Sequence, residues 1–133
     1  MNIKDFADAL ADVEIPGVYE RLQGVPRELD PRRLPSQWVD MPAAEINGAL
    51  QMSTFDESSA QYIATIYIAD SAILEGGLPD DQRERVLDLA AAVEQWAKET
   101  TYAVLLTTGA RSPVGTREYR GVVARVTANE DID

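Results

Sequence analysis

The sequence predicts an α+β fold, with a small, mostly antiparallel sheet of four to five strands and two main helices packed on it. Three observations carry this prediction: two amphipathic stretches with helical spacing, several stretches rich in β-branched and aromatic residues, and the order in which they follow one another. The chain has 133 residues, a common size for one domain, and no glycine- or serine-rich linker. We therefore assign residues 1–133 to a single domain.

The first helix is predicted from Asn2 to Asp12. Asn2 is a suitable N-cap, and Pro16-Gly17 prevents a longer helix. The apolar residues of this stretch fall on one helical face: Ile3, Phe6, Leu10 and Val13.

The second helix is predicted from Pro79 to Glu99. Proline suits the first helical position, and the two aspartates that follow favour the positive end of the helix dipole. Two ion pairs spaced i,i+4, Asp81–Arg85 and Glu94–Lys98, support the helix. Its buried stripe is expected to contain Val86, Leu89, Ala90, Val93, Trp96 and Ala97.

Extended segments make up most of the remaining chain. Prolines between Val18 and Pro42 limit that part to short extended pieces. The stretch AQYIATIYIA and the stretch YAVLLTT are apolar on both faces, which favours strands covered on two sides. The predicted extended segments are Tyr19–Leu22, Gln37–Asp40, Gly48–Ser53, Ala60–Ala69, Tyr102–Thr108 and Arg117–Thr127.

The last two strands are joined by the stretch GARSPVGT, which contains Gly109, Pro113 and Gly115. A connection of this length exceeds the usual hairpin loop of two to five residues. Two interpretations remain open: a flexible surface loop, or an arm that docks on a neighbouring protein.

Charge is distributed unevenly along the chain. Twelve basic against 23 acidic residues give a net charge of −11. Because sequence-independent affinity for a phosphate backbone comes mainly from Lys and Arg, we expect the whole molecule to be a poor nucleic-acid binder and predict no specific nucleic-acid binding. The stretch Gly109–Thr127 nevertheless carries four arginines against Glu118 alone, and an acidic tail follows it. This stretch is interpreted either as a solvated strand face or as a basic surface for an acidic neighbour, which includes another copy of the chain.

Catalytic and metal-binding chemistry finds little support in the sequence. Cysteine and histidine are both absent, which removes thiol nucleophiles, serine–histidine pairs and the commonest metal ligands. The paired carboxylates have structural explanations: Asp56-Glu57 suits a turn, Asp80-Asp81 a helix start and Glu130-Asp131 a charged tail. We predict no enzyme activity, no cofactor and no metal site.

Membrane insertion and secretion are not expected either. No apolar run approaches the roughly 20 residues that a membrane-spanning helix needs. The first residues carry Asp5, Asp8 and Asp12, whereas a signal peptide begins with basic residues followed by an apolar stretch.

Association with other proteins is the remaining expectation. A small sheet with helices on one face leaves the other face to be covered, by the segment Val18–Pro42 or by a partner. Tyrosine and arginine are enriched at protein interfaces, and the last strand contains both. The predicted contact residues are Gly109, Arg111, Pro113, Gly115, Arg117, Tyr119, Arg120 and Arg125.

The order of elements resembles a known family. A short helix ends at Ile15-Pro16-Gly17, and a proline-punctuated stretch holds the sequence LPSQW from Leu34 to Trp38. Strands, the Pro79 helix and two further strands with a long connection follow, and the closing sequence is YRGVVARV from Tyr119 to Val126. This pattern resembles the tail terminator proteins, also called tail-completion or neck proteins, of long-tailed bacteriophages.

The resemblance implies a structural virion protein, made in the host cytoplasm and located in the tail or neck. Such proteins are not enzymes; they form a homo-hexameric ring that caps the tail tube, stops its polymerisation and contacts the head-completion protein. DNA passing through the ring would meet an acidic wall. Two alternatives stay open: a head-completion or connector protein, and an acidic inhibitor whose carboxylates mimic nucleic-acid phosphates.

Overall fold

The computed structural model describes residues 2–48, 58–73 and 80–132, and these residues form an α+β fold as predicted. The helices are α1 (Ile3–Ala11) and α2 (Asp80–Glu99). The strands are β1 (Glu20–Arg21), β2 (Ser36–Val39), β3 (Ala43–Asn47), β4 (Ser58–Ala72), β5 (Ala103–Val114) and β6 (Arg117–Ile132), and a short 3₁₀ helix covers Pro31–Arg33. The described strands form one six-stranded sheet, slightly larger than the four to five strands expected.

The sheet is antiparallel except at one edge. Its strand order is β1-β2-β4-β6-β5, and only β1 and β2 pair in parallel among the described strands. Strand β3 also pairs with β4. Because β6 occupies the other side of β4 along its whole length, β3 lies on the same side of β4 as β2. Strands β3 and β5 therefore lie at opposite edges of the sheet.

Strand β3 was not predicted, and it lies before the segment that was. The sequence pattern indicated a strand over Gly48–Ser53, but β3 ends at Asn47 and Gly48 is not in a strand. Residues 49–53 lie outside the described part of the chain. All five residues of β3 are exposed, so its sequence AAEIN has no hydrophobic alternation to mark it as a strand.

Both helices pack on one face of the sheet, which we call the helix face. The even-numbered residues of β4 and β6 point to this face and are buried there: Ala60, Tyr62, Ala64, Ile66 and Ile68 on β4, and Val122, Ala124, Val126 and Ala128 on β6. From α1, Phe6 and Leu10 are fully buried, and the Phe6 ring stacks on Tyr62 with the ring centroids 5.7 Å apart. The Asn2 side chain caps α1 by accepting the Asp5 N–H at 2.8 Å.

Helix α2 contributes the predicted apolar stripe. Val86, Leu89, Ala90 and Val93 are buried, while Trp96 is half-buried at the edge of the same cluster. The predicted Glu94–Lys98 pair is present, with 2.9 Å between the carboxylate oxygen and Nζ. The other predicted pair involves the side chain of Asp81, which lies outside the described part of the chain.

The opposite face of the sheet, which we call the second face, is covered only in part by the residues that the structure describes. A smaller cluster lies there, made of Leu29, Trp38, Ala69, Val114 and Tyr119, with Leu22 and Leu34 packed against it. The Trp38 ring is buried in this cluster and stacks on Tyr67 with the centroids 5.5 Å apart. The proline-punctuated segment therefore covers one half of the second face, which we call the covered half.

Two β-bulges flank Gly121 at the same level of the sheet. The pairing with β6 shifts between Ala69 and Ser71 on β4, and between Thr108 and Ala110 on β5. On β5 the extra residue is Gly109, whose φ of 69° favours glycine. Gly121 lies between the two bulges and pairs with Ala69 on one side and Ala110 on the other.

Candidate assembly interface

The predicted long connection between the last two strands is wrong. Strand β5 continues through Val114, and only Gly115-Thr116 connects it to β6. Gly115 has a φ of 62°, and a Cβ there would lie 2.5 Å from the backbone oxygen of Arg27, so glycine suits the turn on two counts. Gly109 is therefore a bulge within β5 and Ala110–Val114 are paired strand, so this stretch is neither a flexible loop nor a free arm.

The arginines of β6 divide between the two faces. Strand alternation places Arg117, Tyr119 and Arg125 on the second face and Arg120 on the helix face. The Arg120 guanidinium donates a hydrogen bond to the carbonyl of Gly109 at 3.3 Å, and this bond stabilises the bulge of β5. Tyr119 is 3% exposed and belongs to the cluster of the covered half, so its predicted contact role is replaced by a role in the core.

The hairpin end of the sheet gathers most of the predicted contact residues. Arg111 is cross-strand from Arg120 and forms an ion pair with Glu118 at 3.6 Å. Pro113, Gly115 and Arg117 are exposed at the same end, where Arg27 and Pro31 from the covering segment approach the turn. The structure thus brings together the predicted contact residues between positions 109 and 120. Arg125 lies apart from them, on the other half of the second face.

Further charge pairs lie within the proline-punctuated segment Val18–Pro42 that covers this end. The backbone N–H of Arg32 donates to the Asp30 carboxylate at 2.9 Å, and its guanidinium lies 3.3 Å away. These two hydrogen bonds hold the pKa of Asp30 below its ordinary value. Arg33 also pairs with Glu20 at 3.4 Å, so much of the local positive charge is balanced by neighbouring carboxylates.

The remaining half of the second face, which we call the open half, is exposed. Its residues lie beside one another on three neighbouring strands: Ile63 and Thr65 on β4, Val123, Arg125 and Thr127 on β6, and Ala103, Leu105 and Thr107 on β5. Leu105 is 65% exposed, and Ile63 and Val123 are half-buried. The sequence indicated that β4 and β5 are apolar on both faces; the open half is where that second apolar face meets solvent.

Two sheet edges next to the open half are also unpaired within the described residues. Strand β5 pairs only with β6, and β3 pairs only with β4. Alternate residues of such a strand direct backbone N–H and C=O groups away from the sheet, ready to pair with another strand. These edges were not predictable from the sequence, because an edge is a property of strand order.

The best-buried carboxylate has a structural role. The side chain of Asp70 is 1% exposed and lies 3.3 Å from the Arg85 guanidinium, and Ser71 Oγ donates to it at 3.0 Å. Gln82 in turn donates to Ser71 Oγ, so the bulge of β4 is tied to the beginning of α2. Within residues 2–48, 58–73 and 80–132, no group of three or more acidic side chains is placed to hold a metal ion.

No helix in the described part of the chain is both long enough and apolar enough to cross a membrane. In comparisons with known proteins, no family model, curated protein or solved structure matches this chain.

Proposed function

We propose that this chain is a structural protein of the tail-terminator type. Copies of it assemble into a ring, of six subunits as the resemblance implies, that caps the tail tube of a long-tailed phage, stops its polymerisation and joins it to the head. The observation that carries the proposal is the open half of the second face, where an apolar surface centred on Leu105 lies beside two sheet edges that no described strand pairs with.

The order of elements also supports the proposal. A short helix, a proline-punctuated segment, strands, a long helix and two closing strands follow one another, as in the pattern that resembles the family. One part of that pattern is missing, since the connection between β5 and β6 is a two-residue turn. The resemblance therefore rests on the order and size of the elements, and the connection between β5 and β6 does not support it.

The surface chemistry favours a protein partner of acidic character. Arg125 is exposed within the open half, between the partly buried apolar residues Ile63 and Val123. A chain with a net charge of −11 offers acidic surface to a basic residue on another copy, which suits the heterologous contacts of a ring. The same net charge would keep passing DNA from adhering to the ring wall.

A mechanism follows from these features. Subunits bind side by side through patches that differ from one another, so that a closed ring leaves no patch unused. The ring then presents one end to the tube protein and the other to the head-completion protein. Growth of the tube stops because the ring occupies the surface on which the next tube subunit would assemble.

Light scattering tests the proposal most directly. The purified chain is measured alone and with the tail-tube protein of the same phage, and we expect a ring in at least the second condition. Leu105→Glu should reduce assembly strongly, because it places a charge in the centre of the open half. Leu87→Glu is the matched control, since Leu87 is a 38% exposed leucine on the outer side of α2.

Three outcomes would count against the proposal or part of it. A chain that stays monomeric in both conditions contradicts the ring. A Leu105→Glu variant that assembles like the parent removes the open half from the interface. A ring that binds a head connector and does not bind the tail tube favours the head-completion alternative.

A further inference from the structure

We propose that neighbouring copies join edge to edge, with β5 of one copy paired antiparallel to β3 of the next, so that one sheet continues from subunit to subunit. This inference rests on the proposed function, because it describes how copies meet within the ring. It adds to that function the two strands that form the contact and the direction in which they pair.

Strand direction makes the two edges compatible. The strands β3, β4, β6 and β5 are antiparallel at each step, so β3 and β5 run in opposite directions. A rotation about an axis roughly parallel to the strands preserves their directions, so it brings β3 of the next copy antiparallel to β5. The new pairing is therefore of the same type as the pairings within the sheet.

The sequence of β5 protects one part of its edge and leaves the other part unprotected. From Gly109 onward the strand carries a bulge, the charged Arg111 and Pro113, which are three common devices against edge-to-edge association. The preceding residues Ala103–Thr108 read AVLLTT and contain no charge, glycine or proline. A short uncharged segment with high β-propensity at an open edge is a ready template for another strand.

Strand β3 fits this template in length and exposure. It has five residues against the six of the unprotected part of β5, and all five are exposed. Ile46 is 65% exposed, as is Leu105 on β5. Glu45 is the one charged residue of β3, so a single carboxylate would enter the new pairing.

A second copy is favoured over another partner because each chain supplies one edge of each kind. Pairing β5 with β3 around a closed ring uses each of these two edges once, so no β3 or β5 edge stays open. A two-fold β5–β5 contact would close the assembly at two copies and leave both β3 edges unpaired. A strand donated by the tube protein would leave one edge of each subunit unpaired.

The absence of cysteine allows a clean cross-linking test. Leu105→Cys and Glu45→Cys both place thiols on the second face. Leu105 pairs with Arg125, which pairs with Thr65 on that face, and Glu45 pairs with Gln61, which points to the same face of β4. The two single variants are mixed, assembled with tail-tube protein and treated with a flexible bis-maleimide, which tolerates a shift in register. Glu84→Cys on the exposed side of α2 replaces Glu45→Cys in the control mixture.

We expect cross-linked dimers from the mixture of Leu105→Cys with Glu45→Cys, and few from the control mixture. The double variant should give a ladder of products that ends at the size of the ring. Hydrogen exchange provides an independent reading: amides in Ala43–Asn47 and Ala103–Thr108 should exchange at least about tenfold more slowly in the assembly than in the free chain.

The remaining outcomes overturn the inference in distinguishable ways. Cross-linking of Leu105→Cys to itself alone indicates a two-fold β5–β5 contact. Rings that form without cross-links above the control level refute the strand pairing and leave the proposed function standing. The absence of both rings and cross-links, with tail-tube protein present, refutes the two proposals together.

Discussion

Substitution of Gly121 by alanine should destabilise the fold more than its small size suggests. A Cβ at this position would overlap the backbone oxygen of Ile68, and it would stand 2.9 Å from the carbonyl carbon of Ile68 and 3.1 Å from the Cα of Ala69. All three atoms belong to the backbone of β4, so no side-chain rotation can relieve the clash. The strands must move apart at the level where the bulges flank Gly121.

The expected cost follows from overpacking a buried site. An extra carbon atom in a packed core commonly lowers the free energy of unfolding by about 1–3 kcal/mol. Because the clash here is with the backbone of the central pair of strands, we expect the upper end of that range, about 3 kcal/mol. The unfolding entropy of a chain of 133 residues is about 0.3 kcal/mol per kelvin near the melting temperature. A loss of about 3 kcal/mol therefore lowers Tm by about 10 °C.

The assay is thermal and urea unfolding followed by circular dichroism at one fixed, low protein concentration, because assembly would raise the apparent stability. Gly24→Ala is the matched control: a Cβ there meets no atom within 4 Å, so the variant should unfold within about 1 kcal/mol of the parent. If Gly121→Ala also unfolds within about 1 kcal/mol of the parent, the reasoning from backbone contact is wrong.

Three further predictions concern the core and the charged groups. Phe6→Ala should cost about 3–5 kcal/mol in urea unfolding because the ring is fully buried, whereas Ile3→Ala at a 40% exposed position should cost under about 1 kcal/mol; similar losses would refute the assigned packing of α1. Arg85→Ala should cost about 1–3 kcal/mol because it takes a partner from the buried Asp70 carboxylate, while the Arg85 side chain itself is 52% exposed. Adding Asp70→Asn should recover part of that loss, and no change in stability would contradict this role. The pKa of Asp30, measured by NMR titration, should lie below the ordinary aspartate value because of the hydrogen bonds from Arg32. The ionised carboxylate therefore stabilises the fold at pH values above the ordinary aspartate pKa, and this contribution is lost as the pH falls through the lowered pKa. An ordinary or raised pKa would contradict the hydrogen bonds from Arg32.

The elements that bury one face were predictable from the sequence. Helix α1, the stripe of α2 and strand β6 show the spacing of their secondary structure, because burial on one side selects apolar residues at that spacing. Strand β4 is apolar on both faces and was predicted from its β-branched and aromatic residues instead. The predicted cap of α1 is also present, since Asn2 can satisfy a backbone N–H from its own position in the sequence. In each case the decisive interaction is local or periodic.

The β5–β6 hairpin shows why other features were not predictable. Gly109 and Pro113 are typical of loops, yet one is absorbed as a bulge and the other is tolerated on an edge strand. Whether a glycine bends a strand or ends it depends on the neighbouring strand, which the local pattern does not contain. The same dependence explains why Tyr119 was assigned to an interface and is buried instead.

The candidate interface was predicted in outline only. The sequence indicated that one sheet face needed a cover and that Val18–Pro42 could supply it, and that segment covers half of the face. Which half stays open depends on where Leu29 and Leu34 pack, which is a matter of tertiary structure. The open edges of β3 and β5 follow from strand order, so they could be recognised only in the folded chain.

The two-residue turn at Gly115-Thr116 also bears on the order in which the chain folds. Closing the β5–β6 hairpin costs little chain entropy, whereas β4 must reach β6 across the whole of α2 and β5. A hairpin that forms first presents Ala103–Thr108 to solvent before β4 and the helices have assembled around it. We expect such a hairpin to associate with other copies at high concentration, so slow and dilute refolding should favour folding over aggregation.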